Sequence, residues 1–349
     1  MKCEVNFTYH DMTNDSHGRD NLETFQPPRF SQSELVYIGF VLVPGFSFFA
    51  LACCSEPLRV ANRVAGRKLF EFTFLSEDGQ PVAASNETPI GVSNSLAGCS
   101  DDYQTIVVVS GFDPVENAGD SLLHELRRLS ANGVSLGCVD TGAHILAKAG
   151  LLHGQKAIVH WEASSSFQEN YPTIQVVPER FMIEEGRVSA AGGLSSLDMM
   201  LNIIGASHGH DLANAVAEQF TYNYVQSADD SQRMSLRGRL MTTNKRLIKA
   251  VELMEKHLSS PIRIQELAEK IETSPRELER LFKQEIGTPP KRYYRRLRLE
   301  RARQLLRQTD MSVLDIAISC GFQSAAYFSS AYRQDFGVSP SRDRGPSTT

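Results

Sequence analysis

The chain has 349 residues, 41% of them apolar and 22% charged, which suits a soluble two-domain protein and exceeds what one compact core accommodates. No apolar run reaches the ~18–20 residues needed to cross a bilayer, and no basic start is followed by an apolar stretch, so neither a membrane span nor a secretory leader is expected. The net charge of −5 hides an asymmetry: residues 244–349 carry 20 Lys and Arg against 13 Asp and Glu, while the remainder carries 16 against 28. A basic unit joined to an acidic one is the distribution expected when a single domain faces phosphate.

Residues 1–33 are polar and aperiodic and read as a disordered arm. From Leu35 short apolar runs alternate with amphipathic stretches. Val36–Val43 reads as a buried strand, followed by the turn Pro44-Gly45 and a helix to about Arg63. Phe70–Leu75, Thr105–Val109 and Val134–Val139 read as further strands, with helices over Ala118–Ala131 and Gly142–Ala149. Such near-continuous apolar strands alternating with helices predict an α/β domain with a parallel sheet covered on both faces. Phe181–Glu185 and Val188–Ala190 form a flanking hairpin, and Gly192-Gly193 opens a helix to about His208. These elements make a domain over 34–218, followed by a mixed polar linker over 219–243. The six cysteines (Cys3, Cys53, Cys54, Cys99, Cys138, Cys320) lack CxxC spacing, so reduced thiols in a cytoplasmic protein are expected, without metal or cofactor.

Residues 244–344 read as all-α, with a short tail over 345–349. Lys245–His257 is amphipathic, Ile264–Ile271 is a short helix, and Glu272-Thr273 makes a turn. Ser274 then caps a helix with Pro275 at its first position, ending at Gly287. A short helix, a tight turn and a second helix with a charged outer face make a helix-turn-helix. About fifty residues on the plan recurs: Val313–Ser319, a turn at Gly321, then a helix capped by Ser324 and stopped at Gly337. Between them Lys291–Arg307 is a helix with Leu297, Leu305 and Leu306 inward and eight basic residues outward (Lys291, Arg292, Arg295, Arg296, Arg298, Arg301, Arg303, Arg307). Two motifs on one connecting helix fit two successive major-groove turns, roughly 34 Å apart.

Residues 244–344 resemble the AraC/XylS-family DNA-binding domain throughout. Ile264-Gln265-Glu266-Leu267-Ala268, Arg280-Leu281-Phe282-Lys283, Ile316-Ala317, Gly321-Phe322, Tyr327-Phe328-Ser329 and Phe336-Gly337-Val338-Ser339-Pro340 carry the resemblance. By position, Arg276, Glu279 and Arg280 of the first recognition helix, and Ala326, Ser329 and Ser330 of the second, face base edges. Ser274, Lys283, Arg292, Arg296 and Ser324 are the remaining DNA-contact candidates. Residues 36–218 resemble the ThiJ/PfpI (class I glutamine-amidotransferase-like) domain, as fused to an AraC-type domain in GlxA-like regulators. Here the carriers are Pro44-Gly45-Phe46, Glu56-Pro57-Leu58-Arg59, His160-Trp161-Glu162, Ala191-Gly192-Gly193 and Asp198-Met199-Met200.

Gly137-Cys138-Val139-Asp140-Thr141-Gly142 is a strand entering a tight turn and a helix, the geometry that exposes a nucleophile at the carboxyl edge of a sheet. Catalytic members of the resembled family carry cysteine at this elbow. Asp140 stands there instead, and Cys138, two residues earlier, points into the core. An expectation follows of a binding pocket with no catalytic residue, formed by Asp140, Thr141, Gly111, His160 and Trp161. A fixed carboxylate beside the chain's single indole suits a cationic amine, a betaine or a basic amino acid. The resulting expectation is a ligand-responsive regulator, an activator that binds double-stranded promoter DNA, works with RNA polymerase and self-associates through its N-terminal domain. The alternative is a hydrolase or glyoxalase-like enzyme with an appended DNA-binding domain.

Overall fold

The computed structural model describes residues 35–344 except 101, 185 and 224. The expected arm over 1–33 and tail over 345–349 lie outside the described residues. The N-terminal half is built on one seven-stranded sheet of order β10-β11-β7-β6-β1-β2-β5. Its members are β1 (Val36–Leu42), β2 (Phe70–Ser76), β5 (Asn94–Ser95), β6 (Thr105–Val109), β7 (Ser135–Val139), β10 (Phe181–Glu184) and β11 (Arg187–Ala190). All neighbours pair in parallel except β10 and β11, whose hairpin places β10 antiparallel at the edge. Two-residue strands β3 (Val82–Ala83) with β4 (Pro89–Ile90), and β8 (Lys156–Ala157) with β9 (Gln175–Val176), form minor ladders.

The period-two alternation of each strand divides the core into two layers. Ile38, Phe40, Leu42, Val107, Val109 and Val139 face one layer, covered by α1 (Phe48–Ala65), α5 (Leu194–His208) and α6 (His210–Gln219). Val41, Val43, Ile106, Val108, Leu136 and Cys138 face the other, covered by α2 (Asp120–Ala131), α3 (Gly142–Lys148) and α4 (Ser164–Asn170). Being buried on both faces is why these strands read as unbroken apolar runs.

Residues 220–243 are docked at both ends. Buried Asp198 on α5 accepts from the Tyr222 hydroxyl (2.9 Å), the Gln226 amide (3.0 Å) and Arg180 (2.8 Å), which ties the first part of the segment to the α/β domain. Gln232 Nε2 then donates to the carbonyls of Val159 and Glu179. Past a short helix, α7 (Leu236–Arg239), the segment belongs to the helical half: Leu236 and Leu240 pack there, and Arg239 pairs with both carboxylate oxygens of Glu255.

The helical half has two cores strung on one helix, α11 (Pro290–Gln308). Tyr294 of α11 joins the core of α8 (Lys245–Lys256), α9 (Ile264–Lys270) and α10 (Pro275–Glu285), whereas Leu299, Ala302, Leu305 and Leu306 join that of α12 (Val313–Ser319) and α13 (Ala325–Phe336). Asp343, in the final turn α14 (Pro340–Asp343), binds Arg303, Arg307 and the Tyr332 hydroxyl. The α/β half meets this unit where α4 packs on α11, with Ser166 Oγ donating to Gln308 Oε1 at 2.9 Å. Among the described residues no helix is long and apolar enough to cross a membrane.

Candidate effector site and DNA-recognition surface

The end of β7 turns sharply into α3, and Asp140 occupies that turn with φ of +62°, a conformation side-chain-bearing residues rarely adopt. Its amide donates to the Ala190 carbonyl (3.0 Å) and its carbonyl accepts from the His160 amide (3.4 Å), so neighbouring segments hold the turn. The carboxylate lies against the bare Cα of Gly192: a Cβ there would sit 2.9 Å from Asp140 Oδ2, and Gly192 itself has φ of +97°. Only glycine meets both demands. Thr141 Oγ1 donates to the Gly111 carbonyl at 2.5 Å, which brings together two further expected site residues. The Phe49 ring lies beside Gly193, and half-exposed Phe48, Phe49 and Leu194 add apolar surface.

Burial pushes the Asp140 carboxyl up to about 7, and the nearby Glu162 carboxylate adds to the rise. Burial lowers His160, against the opposing pull of Glu162. The Glu162 amide donates to His160 Nδ1 (3.4 Å), leaving the ring proton of a neutral imidazole on Nε2. Glu162 was not among the expected site residues, although it completes the motif His160-Trp161-Glu162; it places a second carboxylate near Asp140. The rings of His160 and Trp161 are 5.5 Å apart, and Trp161 is 37% exposed. The guanidinium of Arg233 lies 4.3 Å from the indole centroid, so the aromatic face expected to receive a ligand already carries a cation from the chain itself.

Cys138 is buried beneath the elbow, and burial pushes its thiol up to about 12, so it supplies no thiolate at neutral pH. Among the described residues no group of three or more His, Cys, Asp or Glu could hold a metal ion.

In the first helix-turn-helix, Ser274 accepts from the Glu277 amide (3.2 Å) and Pro275 opens α10, as the sequence predicts. Arg276, Glu279, Arg280 and Lys283 are all exposed. Arg280 is preset by ion pairing with Glu277 (2.7 Å) and a bond to Gln284 (2.8 Å). In the second, Ser324 accepts from the Tyr327 amide (3.2 Å); Ala326 and Ser330 are exposed and Ser329 is half-buried. Tyr327, 51% exposed, is a surface aromatic in this helix that the positional reading passed over.

The turn between α12 and α13 is held at Gly321, whose φ is +72°. A Cβ at this position would lie 2.6 Å from Pro261 Cδ and 2.8 Å from the Ser259 carbonyl oxygen. Arg298 donates to the Gly321 carbonyl (3.1 Å). The second motif therefore presses on the loop between α8 and α9 of the first, which fixes the spacing of the two units.

The expected outward row on α11 is corrected. Lys291, Arg292, Arg296 and Arg307 are exposed, but Arg295, Arg298, Arg301 and Arg303 are half-buried. Arg295 pairs with Asp335, Arg303 with Asp343, and Arg298 stacks 4.5 Å from the Phe322 centroid, because long stems and planar guanidinium groups pack against apolar and aromatic neighbours. Arg292 and Arg296 line a cleft of about 430 Å³ with Ile286, Thr288, Gln334 and Asp335. They sit beside the C-terminal ends of α10 and α13, apart from the N-terminal residues of the recognition helices.

Residues 267–345 match a family model described as a helix-turn-helix domain, and residues 50–206 match the DJ-1/PfpI family. The chain is 44% identical to the HTH-type transcriptional regulator CdhR of Pseudomonas aeruginosa, over 87% of this chain and 90% of that protein. It is 39% identical to GbdR of the same species (88% and 83% covered) and 35% identical to GlxA of Rhizobium meliloti (87% and 94% covered), both likewise HTH-type transcriptional regulators.

Proposed function

This chain belongs to the AraC-type helix-turn-helix transcriptional regulators that carry a DJ-1/PfpI domain, and from that premise we propose that it activates promoters in response to a small cationic amine bound beside Asp140. The observation that supports this effector class is the elbow together with the His160-Trp161-Glu162 segment bonded to it: the Glu162 carboxylate acts on both Asp140 and the neutral His160 imidazole, whose ring lies 5.5 Å from the indole. A quaternary or primary ammonium on such a face gains ~0.5–2 kcal/mol from the aromatic quadrupole, besides the attraction of the carboxylates. A hydrolytic or glyoxalase-like role would have to run through Asp140 itself, since the buried Cys138 thiol is un-ionised.

A ligand can act only through its different affinity for two conformations. In this reading the site is placed to exert that bias. Glu162 stands two residues before α4, and α4 packs on α11 of the DNA-binding unit. The regulator works as a homodimer through its α/β domain, binds promoter DNA through α10 and α13, and recruits RNA polymerase.

A thermal-shift panel of amines, betaines, amino acids and organic acids against the full chain tests the reading. A ligand specific for the native state adds about 2.7 kcal/mol of stability at a hundredfold excess over its Kd. Hits confined to cations and lost in Asp140→Ala are expected. Tight binding of an anionic or neutral metabolite instead, with no cation bound, would refute the effector class. Ester, amide or dicarbonyl turnover that vanished in Asp140→Asn would favour the enzyme.

A further inference from the structure

Trp161 is the one tryptophan in the chain, and its face is not free. Arg233, in the segment joining the two halves, places its guanidinium 4.3 Å from the indole centroid. The same guanidinium reaches across to the helical half, where its Nη1 lies 3.9 Å from Glu255 Oε1 on α8. Glu255 is also gripped by Arg239 at 2.9 Å, so Arg233 is its second and looser partner. The groups whose charges act on Arg233 are Arg239, Glu255, Glu162 and Tyr293, drawn from both halves of the molecule. Beside the stacked pair is a cavity of about 320 Å³ lined by Trp161, Ser164, Gln168, Pro178, Ser231 and Arg233, which gives the side chain room to leave.

We infer that Arg233 is a built-in competitor for the effector: it holds the Trp161 face in the ligand-free protein, and a cationic effector must displace it. This inference rests on the cationic-effector reading above and adds to it a route from the site to the DNA-binding unit. With its guanidinium on Trp161 and near Glu255, Arg233 bridges the α/β half and α8. When an ammonium takes the indole face, that bridge opens. Gln232, bonded to Val159 and Glu179, keeps the preceding backbone in place, and α7 stays packed on the helical half, so the freed element is the short stretch between Arg233 and α7. A ligand that must first expel an internal cation binds with an apparent Kd raised by the reciprocal of the fraction of molecules in which the site is open. The reward for accepting that weakening is coupling, since whatever opens the bridge also favours ligand.

The indole reports directly on this contact. Full-length wild-type protein, Arg233→Ala and Arg233→Lys are titrated with tetramethylammonium chloride and with L-arginine, followed by tryptophan emission, with acrylamide quenching measured in the absence of ligand. Arg233→Ala is expected to expose Trp161 to acrylamide and to bind both cations roughly five- to tenfold more tightly, the gain expected if Arg233 closes the site in about 80–90% of molecules. Arg233→Lys, which keeps a less planar cation, falls between. Equal or weaker binding by Arg233→Ala, while wild type still binds cations, would overturn the competitor role and leave the effector class standing. If neither cation perturbs Trp161 in any of the three proteins, the effector class fails and the competitor role with it.

Discussion

The elbow and the recognition helices hold their functional groups in opposite ways. Asp140 is locked in a strained turn, pressed on Gly192 and largely withdrawn from water, so its charge state depends on its surroundings. Arg276, Glu279 and Lys283 stand in solvent on a helix whose other face is anchored by Leu278, Leu281 and Phe282. A substitution at the elbow should therefore alter ligand response, pH dependence and stability together. One on the recognition helix should alter DNA affinity alone.

The widest separation is expected from a charge reversal. Asp140→Lys should abolish induction at a reporter promoter while DNA affinity, measured by band shift, stays within about twofold, because the elbow belongs to the α/β half and the recognition helices to the helical half. Arg276→Ala should do the reverse. An arginine paired to a guanine edge contributes ~1–3 kcal/mol of discrimination, so promoter affinity should fall roughly 10–100-fold with effector binding unchanged. Loss of both functions in either variant would merge the two sites and break the comparison.

The pH profile sharpens it next. Asp140 must be ionised to hold a cation, and its pKa is about 7. Calorimetric affinity for a cationic effector should fall as pH drops below 7, by up to about tenfold per unit, while affinity for DNA shows no step there. Stability carries the same signature. The folded pKa lies above the ordinary carboxyl value of 3.8, so Asp140 favours the native state at low pH; that contribution fades as pH rises from about 4 to about 7, and the ionised group is a net cost above it. Asparagine keeps the shape and tolerates positive φ, so Asp140→Asn should raise Tm on the order of 5 °C at pH 8 and hardly at all at pH 4. A Tm difference that did not grow across this window would mean the carboxyl is ordinary.

How these two regions were legible in the sequence follows from the same contrast. The strand-turn-helix punctuation around Asp140 and the caps at Ser274 and Ser324 are local, and each reappears in the structure with the expected geometry. The central strands were legible because burial on both faces leaves no polar alternation. Long-range polar contacts were not. Nothing in the spacing of Tyr222 and Gln226 announces that both dock on Asp198, nor that Arg233 covers Trp161. Helix α6 was missed because Gly209 breaks the helical run, and the ten-residue piece that follows has too few turns to show its period. On α11, counting basic residues overstated the exposed charge, because periodicity records where a side chain starts and not where a guanidinium ends.

The smallest effect is expected in the second recognition helix, where the exposed-and-charged description of the first does not hold. Ala326, Ser329 and Ser330 are short, Ser329 is half-buried, and the large group on offer is Tyr327. Short hydroxyls give single hydrogen bonds in place of the bidentate pairs that dominate base discrimination, so Ser330→Ala should weaken promoter binding by no more than about threefold. The motif still matters for placement, because Gly321 fixes it against the loop between α8 and α9 of the first unit. A tenfold loss in Ser330→Ala would show that the second helix reads bases as directly as the first, and the division of labour between the two motifs would have to be redrawn.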